Sequence, residues 1–293
     1  MESLRKLLRI FTAPLDFINK YFKTFVFLFI VLLVCLPSRD FESQTPPNLA
    51  KLYLNMPIYE SESFNAQVTK IIENKHIKGV LLIIDSPGGT IGASIEIADM
   101  IKHLCEKLPV IAYVRGSMAS GSYYAGMYAK EIYANRGALI GSIGVIFNGY
   151  NIEELMNKLG VKEQGIKAGA YKEMGTITRK WSEQEEAFLN ALIQEQYTMF
   201  WQDVQKARPE LANKDYHTFA EGKVFSAYQA QALGLIDQVG SIEDAIESLK
   251  KHANITQPIW LKKDKFEAYM DKFLDSVSSK VLSLSLPSLK ASL

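Results

Sequence analysis

Cysteine and histidine are scarce in this 293-residue chain. There are two cysteines, Cys35 and Cys105, and four histidines, His76, His103, His217 and His252. Neither cysteine has a metal-ligand spacing, and no C-x-x-C, H-E-x-x-H or D-x-D-x-D-G run occurs, which disfavours a metal enzyme. No cofactor is expected. Cys35 lies in an apolar N-terminal run and Cys105 at the end of a helical stretch, so no disulfide between them is expected. A Gly-x-Ser-x-Gly elbow is missing as well. His217 and His252 sit in charged surroundings, while His76 and His103 end or sit within helical stretches, so none has the setting of a triad partner. Nor does charge of one sign dominate. The formal net charge is +1, which argues against a nucleic-acid partner, because phosphate binding wants a clustered basic face.

What is present is an ordinary globular balance of 48% hydrophobic and 22% charged residues. The length allows one large domain or two small ones. There is no internal repeat, and a single folded domain is the reading adopted.

The N-terminus stands apart. Phe25 to Leu36 is twelve apolar residues without a break. By length alone that suits a signal-peptide core better than a spanning helix. However, no small-x-small cleavage site follows, and Val34 before Cys35 fits a lipoprotein site poorly. Tyr21, Phe22 and Thr24 extend the run if Lys23 snorkels to the headgroups, reaching roughly 17 residues, the lower limit for a span. Arg5, Lys6, Arg9, Lys20 and Lys23 precede the run and only Arg39 follows closely. The positive-inside rule then leaves the N-terminus in the cytoplasm and exports the rest, an inner-membrane, single-pass arrangement. Leu4, Leu7, Leu8 and Phe11 recur at helical spacing among the basic residues, as in a helix lying on an anionic membrane. The expected organisation is a basic amphipathic segment over 1–22, an uncleaved anchor over 23–37 and a polar linker over 38–48. A folded domain over 49–262 and an amphipathic helix with a loose tail over 263–293 complete it. In that last segment Phe266, Met270, Phe273, Leu274 and Val277 carry the helical spacing.

Within the folded part, strand-like and helix-like segments alternate. Leu52–Leu54 predicts a short strand, and Phe64–Glu73 a helix with Ser63 as N-cap. Gly79–Ile84 is an apolar run of the buried parallel-strand type. A helix with Ile91, Ile95 and Ala98 on one face should follow, then a strand at Val110–Val114, a helix opening near Ser120 and a strand at Ile143–Phe147. This order implies an α/β fold with parallel strands and crossover helices. Ser182-Glu183-Gln184-Glu185 is a capping box opening a long helix that should end near Pro209, with Phe188, Leu192, Phe200 and Val204 as a packing stripe.

Two turns could carry chemistry. Asp85-Ser86-Pro87-Gly88-Gly89 joins a buried strand to a helix, where glycines let another group approach the amides and the helix N-terminus favours negative charge. That is what an oxyanion hole requires, and a plain turn has the same composition. One βα unit later, Ser120 lies where strand turns into helix, and the Gly121 N–H could be a second donor. Ser120 could equally be a simple N-cap, and Ser117 and Ser122 compete with it. With no histidine available, a lysine base is the main remaining option. Lys172, in a glycine- and alanine-rich segment, is the candidate and Lys167 its rival. A lysine acting as base needs its pKa lowered from about 10.4 by desolvation, and a hydroxyl such as that of Ser142 to orient it.

Taken in order, these segments resemble the signal peptide peptidase A (protease IV) family in its short single-domain form. The resemblance rests on Ser86-Pro87-Gly88-Gly89 after the apolar strand, on Ala119-Ser120-Gly121-Ser122-Tyr123-Tyr124 and on Gly141-Ser142-Ile143-Gly144-Val145. Lys167 to Gly175 and Ala232-Leu233-Gly234-Leu235-Ile236-Asp237 with Gly240 complete it. It covers roughly residues 50–250. It implies the Clp protease/crotonase-type fold, with Ser120 as nucleophile, Lys172 as general base and Ser142 as the hydroxyl holding the lysine. The oxyanion donors it implies are the Gly121 amide and an amide of Gly88 or Gly89. The implied substrates are signal-peptide remnants and other membrane-derived peptides. The implied assembly is a homo-oligomeric ring in which serine and lysine come from neighbouring subunits.

Three departures from the family pattern stand out. Only Ala119 separates Met118 from Ser120 where the family usually has two small residues, so the alignment is anchored on Tyr123-Tyr124. Ser122 replaces the second glycine after the serine, and Gly222-Lys223-Val224 stands where many members have Gly-Arg-Val. An inactive membrane-anchored scaffold and a crotonase-type acyl-CoA enzyme are the alternatives. The intact Ser120, Ser142 and Lys172 set argues against the first, and export argues against the second.

Overall fold

The computed structural model describes residues 20–35 and 45–262. The chain divides into two units, Met1–Thr45 and Pro46–Leu293. In the first, the apolar run forms helix α1, Phe22–Cys35, of 14 residues. At 1.5 Å per residue that is roughly 21 Å, less than a hydrocarbon core of about 30 Å. Among the described residues no helix is long and apolar enough to cross a membrane. The expected surface helix around Leu4–Phe11, most of the linker and the C-terminal helix lie outside the described residues.

In the second unit the βα alternation builds one sheet. Strands β1 (Leu49–Asn55), β2 (Gly79–Ser86), β3 (Val110–Ala119), β4 (Glu131–Ala134) and β7 (Gln238–Val239) lie side by side, all parallel. Strand β5 (Leu139–Gly141) pairs parallel with β3 and antiparallel with β6 (Val224–Ser226). The helices are α2 (Glu62–Glu73), α3 (Ile91–Lys107), α4 (Gly121–Gly126), α5 (Glu153–Leu159), α6 (Glu183–Ala207), α7 (Tyr216–Phe219), α8 (Ala227–Leu233) and α9 (Ile242–Ala253). This is the α/β arrangement, with a mostly parallel sheet and crossover helices, that the alternation implied.

The unbroken apolar strand β2 is explained by burial on both faces. Val80, Leu82 and Ile84 face the main core, together with Ile97, Ile101 and Leu104 of α3. Leu81 and Ile83 face a second cluster with Ile111, Tyr113 and, from α9, Ala245 and Leu249. Strand β1 is longer than Leu52–Leu54 because it pairs with β2 from Leu49 to Asn55, with its first residue anchored twice. Leu49 pairs with Gly79, and Leu49 O accepts from Leu261 N at 2.7 Å.

Several local expectations are corrected. Helix α2 starts at Glu62, so Ser63 lies inside it and donates its N–H to Glu60 at 3.0 Å instead of capping. The buried stripe of α3 is Ser94, Ile97, Ala98, Ile101 and Leu104, while Ile91 lies outside it and remains exposed. Residues 143–147 form no strand. Ile143 is buried, but Ile146 and Phe147 are exposed, and the strand in this region is β5, ending at Gly141. Helix α6 follows its expected bounds, opened by the reciprocal capping box of Ser182 and Glu185. Only its C-terminal half packs as expected: Phe200 and Val204 are buried, whereas Phe188 and Leu192 are exposed. Cys105 is a free thiol whose pKa burial pushes up to about 12, so it stays protonated.

One feature of the sheet positions the site. The first half of β3 pairs with β4, from Ile111–Glu131 to Val114–Ala134. Its last three residues pair with β5 instead, ending at Ala119–Gly141. Asp85 holds this change of partner, its Oδ1 accepting the Ser117 N–H at 3.0 Å. Gly116 is required there, since a Cβ would lie 2.7 Å from that oxygen. The end of β3 and the end of β5 are thereby brought together.

Candidate active site

Ser120 follows β3 directly and precedes α4. Its backbone has φ 53° and ψ −124°, outside the regions open to ordinary L-residues. Such a conformation costs of order 1–3 kcal/mol and persists only where the surroundings over-determine it. Here the Ser120 N–H donates to Gly141 O at 2.8 Å, and Ser120 O accepts from Tyr123 N at 2.9 Å and Tyr124 N at 3.1 Å. Ser120 occupies the N-cap position of α4, yet its side chain makes no capping hydrogen bond. The simple N-cap role is therefore not the one the residue plays.

The competing serines are committed elsewhere. Ser122 is fully buried; its Oγ accepts from Ala119 N at 2.8 Å and is within 2.7 Å of Ser86 O and 2.9 Å of Ala119 O. It ties the two glycine-rich turns together and is closed to any substrate. Ser117 lies within the β3–β5 pairing, its N–H given to Asp85.

The Ser86–Gly89 turn packs against the Ser120 turn from the other side. Gly88 has φ +95°, and a Cβ on it would lie 2.6 Å from Gly121 N and 2.9 Å from Ser120 Cβ. A Cβ on Gly121 would lie 2.2 Å from Ser94 Oγ and 3.2 Å from Gly89 N. These glycines are present because two backbones meet here with no room for side chains. The Gly88 N–H is spent on Ser86 Oγ at 3.2 Å, which distinguishes the two amides left open by the sequence. Among the described residues the N–H groups of Gly89 and Gly121 have no acceptor.

A cavity of about 440 Å³ opens beside them. Ser120, Gly121, Gly89 and Ser142 all line it. Ser142 is held at φ 51°, its N–H donating to Lys223 O at 2.7 Å, and Gly222 N donates to Ile143 O at 2.9 Å. The inner wall includes Tyr124, packed edge-to-face on Phe200 at 5.1 Å. Tyr124 Oη donates to Asp203 Oδ2 at 2.6 Å. Burial, with the Asp203 carboxylate beside it, holds that phenol well above its usual range, so it stays neutral.

Lys172 is not brought to this group. It is exposed, in a stretch over 161–175 that is largely exposed, and it does not line the cavity. Among the described residues no hydrogen bond joins it to Ser120 or Ser142. Its rival Lys167 is paired with Glu173 at 2.6 Å. The small residues around Lys172 do not desolvate it within one chain. Among the described residues no histidine lines the cavity: His103 pairs with Glu106, His217 with Glu221 and His252 with Glu131. Two contributors had been passed over in the sequence. Asp85 stands out in the sequence only as part of its turn, and Ser94, whose hydroxyl packs against Gly121, carries no local signal at all.

With this geometry established, comparison with known proteins is direct. The profile of peptidase family S49 matches residues 102–256, and that of Clp protease matches residues 51–141. A candidate protease of Synechocystis sp. is 42% identical over 176 residues, 60% of this chain and 63% of that protein. A candidate protease of Methanocaldococcus jannaschii is 33% identical over 244 residues, 78% of each chain. A candidate signal peptide peptidase SppA of Enterococcus faecium is 38% identical over 199 residues, 68% of this chain and 58% of that protein. The matched part thus spans between 58% and 78% of these relatives' lengths. The match to the S49 profile covers more than half of the sequence, including Ser120, Ser142 and Lys172, and the chain belongs to peptidase family S49.

Proposed function

We propose that the protein is a serine endopeptidase working through a Ser120–Lys172 dyad. The observation that carries this reading is the strained Ser120 at the cavity wall, flanked by two amides without acceptors. Neutral Lys172 takes the Ser120 proton, and Oγ attacks the scissile carbonyl. The N–H groups of Gly121 and Gly89 receive the developing oxyanion, with Gly89 favoured over Gly88 because Gly88 already donates to Ser86. The protonated lysine then serves the leaving amine, and water releases the acyl group. Ser142, beside Ser120 in the cavity wall, orients the lysine.

The lysine comes from a neighbouring copy in a homo-oligomer. Two facts support this: Lys172 lies outside the cavity of its own chain, and it is exposed there. Burial against a neighbour supplies the desolvation that a lysine base needs.

The N-terminal run of apolar residues, with its basic flank, is the membrane anchor. It leaves the N-terminus in the cytoplasm and the peptidase domain on the exported side of the inner membrane. The substrates are peptides left in or near that membrane, signal-peptide remnants foremost. Hydrolysis of an apolar peptide by residues 45–293, compared with Ser120→Ala and Lys172→Ala, tests the reading. Activity that survives both substitutions removes it. Membrane fractionation of the full chain against 45–293 tests the anchor, which fails if both stay soluble.

A further inference from the structure

The cavity beside Ser120 is walled largely by apolar side chains, among them Ile91, Ile95, Ile193, Met199 and Phe200. Glu221 is the one side chain in its lining that carries a charge at neutral pH. Glu221 is not a loose surface carboxylate. Its backbone is held at φ 61°, a left-handed conformation costly to a non-glycine residue. Its N–H donates to Tyr197 Oη at 3.0 Å, while Tyr197 Oη donates back to Glu221 Oε1 at 2.9 Å. His217 Nδ1 lies 3.1 Å from the same oxygen. The adjoining Gly222 is bonded to Ile143 O and Lys223 O accepts from Ser142 N, so this loop is stitched to the turn that carries Ser142.

Both contacts of the carboxylate itself use Oε1. Among the described residues Oε2 has no hydrogen-bond partner. The neighbouring cation does not take it either, because Lys223 Nζ donates to His217 O at 2.8 Å. The hydrogen bond from Tyr197 holds this exposed carboxyl below its usual range, with His217 and Lys223 adding to the effect. The result is an ionised carboxylate fixed by one oxygen at the edge of an apolar cavity, with the other oxygen open.

A lysine or arginine side chain is an apolar stem ending in a cation. It matches that combination of apolar wall and single open carboxylate oxygen. The geometry points to Glu221 as a specificity-determining residue, one that selects peptides placing a basic side chain in the cavity beside Ser120 and disfavours acidic ones. This rests on the peptidase reading of Ser120. Charge selection of this kind works in both directions, since an acidic substrate side chain meets repulsion at the same oxygen.

The test uses otherwise identical quenched peptides with Lys, Leu or Glu at each of the three positions on the acyl side of the scissile bond. The wild-type protein should cleave the Lys peptide in preference to the Glu peptide at one of these positions. Glu221→Gln should reduce that Lys-to-Glu ratio of kcat/KM by roughly tenfold or more, as expected for loss of a hydrogen bond to a charged group. Glu221→Asn is the companion variant, since asparagine tolerates the left-handed backbone and removes the charge without disturbing the loop. It should reduce the ratio likewise, and Glu221→Lys should reverse it. Equal cleavage of Lys and Glu peptides by an active wild type overturns the assignment of Glu221 while leaving the peptidase reading intact. So does a variant that loses activity on all peptides with its ratio unchanged, which would make Glu221 structural or a contact for a neighbouring subunit's cation. Failure of the wild type to cleave any peptide overturns the peptidase reading first, and this assignment with it.

Discussion

The N–H of Ser120 donates to the carbonyl of Gly141 at 2.8 Å, so the turn that carries the proposed nucleophile is fastened to the residue before Ser142. This bond continues the β3–β5 pairing by one step beyond Ala119–Gly141. It explains how a short, three-residue strand can matter to chemistry: β5 sets the position of two strained serines at once, Ser120 at φ 53° and Ser142 at φ 51°.

Replacing either of two neighbouring serines should give opposite results. Ser120→Ala should lower peptide hydrolysis by roughly 10⁴-fold or more with little change in stability. Ser122→Ala should retain the proposed nucleophile but leave the part-buried Ala119 N–H without its acceptor, costing about 1–3 kcal/mol. Thermal melts alongside peptide hydrolysis separate the two outcomes. Loss of activity only in Ser122→Ala would reassign the nucleophile.

A shared site predicts complementation. Ser120→Ala and Lys172→Ala proteins should each be inactive alone, and co-assembly of the two should restore part of the activity, because some sites then combine an intact serine with an intact lysine. Activity assays on co-expressed, tandem-purified mixtures read this directly. A mixture as inactive as its components would place both groups in one chain.

The proposed oxyanion pair makes a third prediction. Gly121→Ala would place a Cβ 2.2 Å from Ser94 Oγ, and Gly88→Ala one at 2.6 Å from Gly121 N with φ +95°. Both should displace the donor amides and reduce kcat by about 10²–10³-fold, the usual loss for one such donor. Substrate binding, read as KM, should change far less.

Stability should depend on pH through Glu185. Arg179 donates two hydrogen bonds to this buried carboxylate, at 2.7 and 2.9 Å. Those bonds first, and the Ser182 N–H next, lower its pKa from 4.5 to about 2. A carboxyl depressed in the folded state stabilises fully above its unfolded value. The gain is lost as pH falls from about 4.5 towards about 2. Glu185→Gln should therefore lower the melting temperature at pH 7, and the difference from wild type should shrink below pH 4. A difference constant across that range would show that the ion pair contributes nothing.

Some elements were legible because their causes are local. The capping box of Ser182 and Glu185 needs only residues three apart, and α6 begins and ends where that signal and Pro209 place it. The apolar β2 was legible for the same reason. Residues 143–147 misled, because a short apolar run reads equally as a strand or as loop side chains turned outward. The stripe on α6 misled in its first half, since Phe188 meets Tyr171 at 5.2 Å in an exposed contact instead of the core.

The site divides along the same line. The sequence by itself determined the alternation of strands and helices, the two glycine-rich turns and the small set of candidate serines and lysines. Periodicity, capping and backbone freedom are properties of neighbours along the chain. Only the tertiary structure decided the surroundings of each candidate. It buried Ser122 and strained Ser120, spent the Gly88 amide and left that of Gly89, and brought Glu221 to the cavity while leaving Lys172 outside it. Each of those outcomes depends on hydrogen bonds and close approaches between residues far apart in sequence, which local spacing does not encode.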